Sequence, residues 1–371
     1  MKRTHIGLLV VAIAALLGAI LLFSRAGDGS AQDPAAPAGA GFTFRDDLGR
    51  TVTVERPVKR VAIFNRYGVE FIRAIAGMDP IVGVDAGTAK EREYWPGIEK
   101  IAIVGQGQAT PNYDAIVALR PDLVILPRNG SWQEAERVLT PLHIPVAVIT
   151  AWDVLKHEEN VTLMGQLFER PEQAAELNAF YQHWNGVLQE RLKGVTRKRV
   201  YLEEVGNYRT LLPGSGWHDM IETGGGLNVF RDVSITRDNQ SRGSVQGFTV
   251  DPEEVIARAP DVILKLQPGQ YAPHPRDFSR EVLTSIADRP GFAGTPAVRS
   301  GQVYHMSYYL AGGCSKIIGA LQVAKWLYPD RFADIDPEDV MAEWLTRFQH
   351  VPAQQGYTAS LPEFRKAEFR S

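Results

Sequence analysis

Short, unbroken apolar runs recur along the chain, separated by segments of helical spacing. Arg60–Phe64, Ile81–Val84, Ile101–Val104, Leu123–Leu126 and Val146–Ile149 read as strands without alternation. Strands apolar on both faces and alternating with short helices belong to a parallel sheet covered on both sides. Val69–Ala76 has helical spacing and stops at Gly77, a suitable helix C-terminal glycine. Phe42–Arg45 and Arg50–Val54 flank Asp-Asp-Leu-Gly and predict a β-hairpin.

From Val154 to Gly194 the pattern is helical apart from Pro171. A proline followed by an acid suits a first helical turn, and a helix from there to about Lys193 would be roughly 35 Å long. The strand pattern then restarts. Arg199–Leu202, Val262–Leu266 and Val303–Met306 read as strands, Trp217–Glu222 is helical and closed by Gly224–Gly226, and helices fill Ser315–Leu327 and Pro337–Phe348.

One segment occurs twice. Asp114–Leu126 and Glu253–Lys265 each run acid, apolar helical stripe, Pro-Asp, apolar strand. Two such units on either side of a long helix predict two similar α/β lobes with parallel sheets, joined by that interlobe helix. The expected organisation is a leader or membrane anchor over residues 1–26, a tether over 27–41 and an N-terminal lobe over 42–152. A helical segment over 153–196 and a C-terminal lobe over 197–371 follow.

Lys2-Arg3 precede an uncharged apolar run from Ile6 to Phe23, the form of an export signal and nearly the length of a membrane span. Gly29 and Ala31 permit cleavage after Ala31; an uncleaved anchor is the alternative. Gly27–Gly41, rich in Ala, Pro and Gly, suits a flexible tether. The folded part is therefore expected in the periplasm or another extracytoplasmic space.

The 371 residues carry a net charge of −3, without the basic excess of a nucleic-acid binder. The single cysteine, Cys314, excludes a disulfide framework and a Cys-based metal site. Gly105-Gln-Gly107 lacks the third glycine of a dinucleotide fingerprint, and Pro213–Trp217 lacks the spacing of a nucleophile elbow. The eight histidines are scattered, so no catalytic group and no protein metal centre is assigned. His305-Met306 keeps haem open as a ligand.

Aromatic and arginine residues follow the strands, where open α/β sheets bind ligands. Asn65-Arg66-Tyr67 follow the first strand, and Arg128 and Trp132 follow the first repeat strand. Tyr208-Arg209 and Trp217 follow the first strand of the second half, Tyr271 the second repeat strand, and Tyr308-Tyr309 the strand after it. Each residue alone suits packing or surface; their recurrence in both halves favours a shared cleft. Aromatics offer apolar faces with polar tips and arginines offer forked donors, which suits a large, planar or chelated anion. The cleft shows no acid cluster for a bare cation.

The order and spacing of several segments resemble the class III substrate-binding proteins of ABC importers, which carry ferric siderophores, haem and cobalamin. They are Phe42–Val54 with Asp47-Leu-Gly-Arg50, Arg60–Glu70, Tyr113–Asp122, the long helix, and Gly214–Val229 with its Gly-Gly-x-Asn ending. Val250–Leu264 and Val303–Gln355, with Lys325-Trp-Leu-Tyr-Pro and Arg347-Phe-Gln, complete them. The resemblance covers nearly everything after residue 42. It implies two Rossmann-like lobes, a ligand between them, and one acid per lobe that pairs with permease arginines. Those acids fall on Asp114 and Glu253; the family usually has Glu at the first. The chain is then expected to be a monomeric, non-enzymatic receptor with no intrinsic cofactor. It would deliver a ferric siderophore, or else haem or a cobamide, to an inner-membrane ABC permease and its ATPase. A chelatase-like enzyme or metallochaperone on a similar fold is the competing class.

Overall fold

The computed structural model describes residues 41–233 and 247–368; the leader and nearly all of the tether fall outside them. Among the described residues no helix is long and apolar enough to cross a membrane. The predicted hairpin is present as β1 (Phe42–Arg45) paired antiparallel with β2 (Thr51–Val54). Asp46 closes its turn, accepting from the backbone N–H groups of Leu48 and Arg50 at 3.0 Å.

The N-terminal half forms a five-stranded sheet in the order β5-β4-β3-β6-β7. Its strands are β3 (Val61–Ile63), β4 (Ile81–Val84), β5 (Ala102–Ile103), β6 (Leu123–Leu126) and β7 (Val146–Val148). All pairings are parallel. The period of two sorts the side chains: Leu123 and Ile125 enter one core, Val124 and Leu126 the other. This explains why β6 is apolar at every position.

The C-terminal half builds a seven-stranded sheet. Parallel pairings join β10 (Gly226–Asn228), β8 (Lys198–Glu203), β12 (Val262–Gln267) and β13 (Val303–Ser307). Three short strands run antiparallel at its edges: β9 (Arg209–Thr210), β11 (Phe248–Thr249) and β14 (Thr358–Ser360). The sequence shows β8, β12 and β13; the short β9, β10, β11 and β14 carry no comparable apolar run.

The repeat is visible in detail. Helices Tyr113–Leu119 and Pro252–Ala257 precede β6 and β12. Arg120 (φ 47°) and Ala259 (φ 42°) take the same left-handed turn before each Pro-Asp. Asp122 then accepts from the Lys59 and Arg60 amides, and Asp261 from the Arg199 amide. Each aspartate thereby ties the start of its strand to the start of the first strand of its lobe.

Helix Pro171–Arg191 follows the first sheet and precedes the second, with Pro171 in its first turn. Its 21 residues span roughly 32 Å. Its buried Leu177, Phe180, Tyr181 and Leu188 share one core with the inner faces of both sheets, through Ile63 and Leu123 on one side and Val200 and Leu264 on the other. A common core of this kind resists wide opening of the lobes. The last predicted helix is shorter than expected: Pro337–Glu343 is α-helical, and Trp344–Phe348 widens into a π turn that delivers Gln349 to the interior.

Candidate functional site

Three loops at the carboxyl ends of the first sheet are laced by amides. Asn65 adopts φ 82°, a conformation its short polar side chain tolerates. It caps helix Arg66–Ala76 by accepting from the Tyr67 amide, and its own amide N–H donates to Asp85 at 2.9 Å. Its side-chain NH2 donates to Gln108 at 2.8 Å, and Gln108 donates to Asn129 at 2.7 Å. This lacing fixes where Arg66 and Tyr67 begin.

Both residues meet the C-terminal half. The Arg66 guanidinium lies over the Tyr309 ring at 3.7 Å and donates to Glu91 at 3.1 Å. Its Nε and Nη2 are buried without a hydrogen-bond partner among the described residues. Tyr67 meets the edge of Trp152 at 6.1 Å and seats against Gly312 and Gly313, where any side chain would overlap its ring. Burial pushes the Tyr67 hydroxyl up to about 12, which keeps it a neutral donor near neutral pH. Trp217 packs on Tyr308 at 4.7 Å and also receives the Lys316 ammonium at 4.9 Å. Burial likewise raises Tyr308, with a further push from Glu204. The result is a seam of aromatic faces in which Arg66 lies on Tyr309 and Lys316 on Trp217.

The seam continues through residues that the strand-end pattern does not reveal. Tyr94 stacks on Tyr271 at 5.3 Å and meets Tyr309 edge-on at 5.1 Å. Glu70 and Arg73, both buried, join it from helix Arg66–Ala76. The Tyr94 hydroxyl donates to Glu70 at 2.9 Å, and Arg73 donates to Gln349 at 2.9 Å. Arg66, Glu70 and Arg73 lie at i, i+4 and i+7, one face of a helix. That charged stripe is the signal by which the sequence could have shown a polar interlobe contact.

Burial pushes the Glu70 carboxyl up to about 7, with Arg66 pulling it back only in part. The unfolded chain releases this proton near 4.5 and the folded chain near 7, so between those values the folded state holds more protons. Stability is therefore expected to fall as pH rises from 4.5 to 7, and to level off above. Glu70→Gln should remove that slope, worth up to about 1.4 kcal/mol per pH unit, in urea unfolding followed across pH. An unchanged slope would contradict a proton held on Glu70.

Of the other predicted residues, Tyr271 lies in the seam and Arg209 beside it, while Arg128, Trp132 and Tyr208 lie elsewhere. Arg128 turns toward the hairpin, pairing with Asp153 at 2.5 Å and the Asp47 carbonyl at 3.1 Å. Trp132 carries the Arg50 guanidinium on its ring at 4.6 Å. Tyr208 (φ 60°) packs under Arg289 at 4.7 Å, and Arg209 pairs with Glu204 beside Tyr308. Tyr271 hydrogen-bonds the Pro352 carbonyl. Loop Glu204–Arg209 rests on a buried cluster. Glu203 accepts from Lys265 at 2.7 Å and from both terminal nitrogens of Arg289 at 2.7 and 2.8 Å. Lys265 also donates to the Glu204 and Gly206 carbonyls.

Asp114 and Glu253 are exposed in the first turns of the two repeat helices. Asn112 and Asp251 do the capping there, accepting from the Ala115 and Glu253 amides. The two acids are thus not required as caps. A cavity of about 460 Å³ lies beside helix Pro171–Arg191, lined by Tyr181, Leu188, Met220, Ile317 and the same Lys316 among others. Among the described residues no three His, Cys, Asp or Glu side chains are grouped to hold a metal ion.

A family model described as periplasmic binding protein matches residues 61–309. The molybdate-binding protein MolA of Haemophilus influenzae is 25% identical over 341 residues, covering 82% of this chain and 89% of that protein. Its molybdate-bound structure superposes with a TM-score of 0.68, covering 84% of this chain and 99% of the other. The TroA-like periplasmic binding protein FepB of Veillonella parvula gives 0.71 at 22% identity over 86% of this chain and 99% of its own. The vitamin B12-binding protein of Salmonella typhimurium is 30% identical over 190 residues. Those residues cover 51% of this chain and 65% of that relative, so the match spans less than two thirds of its length.

Proposed function

This chain belongs to the periplasmic binding protein family, and on that premise we propose that it captures an anionic metal complex between its lobes and passes it to an ABC permease and its ATPase. Family membership makes it a substrate-binding component of a transporter rather than an enzyme. The observation that carries the ligand class is Arg66, whose Nε and Nη2 are buried and unpaired among the described residues. An unpaired buried donor is costly, and a forked guanidinium is satisfied best by an oxyanion or carboxylate. The rings of Tyr67 and Tyr309 against it, with the Trp217–Tyr308 pair further along the seam, suit planar chelate rings, and a ferric siderophore supplies both features.

A small oxometalate is the second reading. The close seating of Tyr67 on Gly312 and Gly313 leaves a tight seam, and a relative is named for molybdate. Titrating the chain with ferric siderophores, haem, cobalamin and molybdate, followed by tryptophan fluorescence, separates the two. Saturation by an iron chelate alone supports the first and by molybdate alone the second; saturation by neither removes both.

Delivery is assigned to Asp114 and Glu253, the exposed acids of the two lobes. The double substitution Asp114→Lys/Glu253→Lys is expected to abolish uptake in cells while leaving ligand affinity unchanged. Uptake at the parental rate would overturn the docking role. The chain is proposed to act as a monomer, held outside the inner membrane by residues 1–26 or released by cleavage after Ala31. The N-terminal residue of the mature protein distinguishes these.

A further inference from the structure

Two histidines of the C-terminal half take no part in the seam. His305 is 1% exposed in the middle of β13. His274 lies in the loop between β12 and helix Arg276–Ala287. Each ring has one nitrogen engaged. Ser279 Oγ sits 3.0 Å from His305 Nδ1, and the His274 ring bonds to the backbone of Pro268. The Nε2 atoms of both rings are buried without a hydrogen-bond partner among the described residues.

An imidazole with one nitrogen fixed by an outer partner and the other unused has the form of a metal ligand. The spacing fits too. Two imidazole nitrogens about 2.1 Å from one tetrahedral ion hold their ring centroids roughly 5 Å apart, and these centroids are 5.3 Å apart. A hydroxyl lies on the same side: a Cβ at Gly269 would fall 2.0 Å from Ser307 Oγ and 3.7 Å from His274 Nε2, and that hydroxyl also accepts from the Tyr309 amide. Lys265, whose charge reaches His305 from the neighbouring strand, is bound to Glu203 at 2.7 Å and does not stand as an uncompensated cation. Phe278 covers the pair, stacking on His274 at 4.5 Å.

We propose that His274 and His305 form a two-histidine site for a borderline divalent cation of the zinc, nickel or copper class. Ser307 or water would complete its shell. The site is distinct from the seam and holds metal directly rather than as a complex. Its consequence is structural. It ties the loop bearing Tyr271, which stacks on Tyr94 across the lobes, to strand β13.

The test is titration of the purified, chelator-stripped full chain with Cu(II), followed by electron paramagnetic resonance. The expected result is one copper per chain with coupling to two nitrogens. Ser279→Ala should weaken binding roughly 10- to 100-fold, as loss of an outer partner does elsewhere. His274→Ala, on a partly exposed loop, should abolish the two-nitrogen signal with the circular dichroism unchanged, and His143→Ala should not affect it. Copper bound equally well by His274→Ala, or a parent spectrum without two nitrogens, would overturn the site.

Discussion

Arg66→Ala is expected to weaken binding of the anionic ligand by about 1.5–3 kcal/mol, or roughly 10- to 150-fold, in calorimetric titration. The estimate is that of lost hydrogen bonds to a charged group. The side chain is held from three sides before any ligand arrives. Glu91 pairs with Nη1, Tyr309 supports the guanidinium plane, and the Asn65 cap fixes the helix start. Little ordering is therefore left for the ligand to bring about. Arg66→Lys should recover only part of the loss, because an ammonium is a single point charge rather than a planar fork. Wild-type affinity in Arg66→Ala would remove the basis for an anionic ligand.

Glu203→Ala is expected to destabilise the fold by about 3–5 kcal/mol in chemical denaturation. The carboxylate is fully buried and accepts from Lys265, Arg289, the Tyr201 hydroxyl and the Tyr208 amide. Burial alone would raise its pKa, yet Arg289 and Lys265 together hold it below the ordinary value. Its contribution is therefore present above the unfolded pKa and is lost as pH falls through the folded one. Removing it leaves two cations buried without their partner. Glu254→Ala is the comparison: its ion pair with Arg258 is exposed, and about 1 kcal/mol or less is expected. Equal effects of the two substitutions would contradict the role given to Glu203. Ligand affinity should also fall in Glu203→Ala, since Lys265 holds the loop that presents Arg209 beside Tyr308.

The repeat and the parallel strands were legible because β6 and β12 are buried on both faces, which leaves apolar runs, unbroken in β6 and interrupted in β12 only by Lys265 before its last residue Gln267. The Pro-Asp pairs also mark a real structural feature, the aspartate ties at Asp122 and Asp261. The seam was legible in part. Arg66, Tyr67, Trp217, Tyr308 and Tyr309 follow strands and converge. Arg128 and Trp132 follow a strand equally well, but Asp153 and Arg50, distant in sequence, engage them. Tyr94, Trp152 and Gln349 join the seam from connecting segments and a π turn, which carry no period to read.

The most direct test of the central inference is anomalous diffraction from crystals of the chain grown with the saturating metal complex, collected at the metal's absorption edge. An anion held as inferred gives a peak between the lobes, beside the Arg66 guanidinium and within reach of Tyr67, Trp217 and Tyr308. A complex lodged instead in the cavity beside helix Pro171–Arg191, or bound with Arg66 still unpaired, would contradict it.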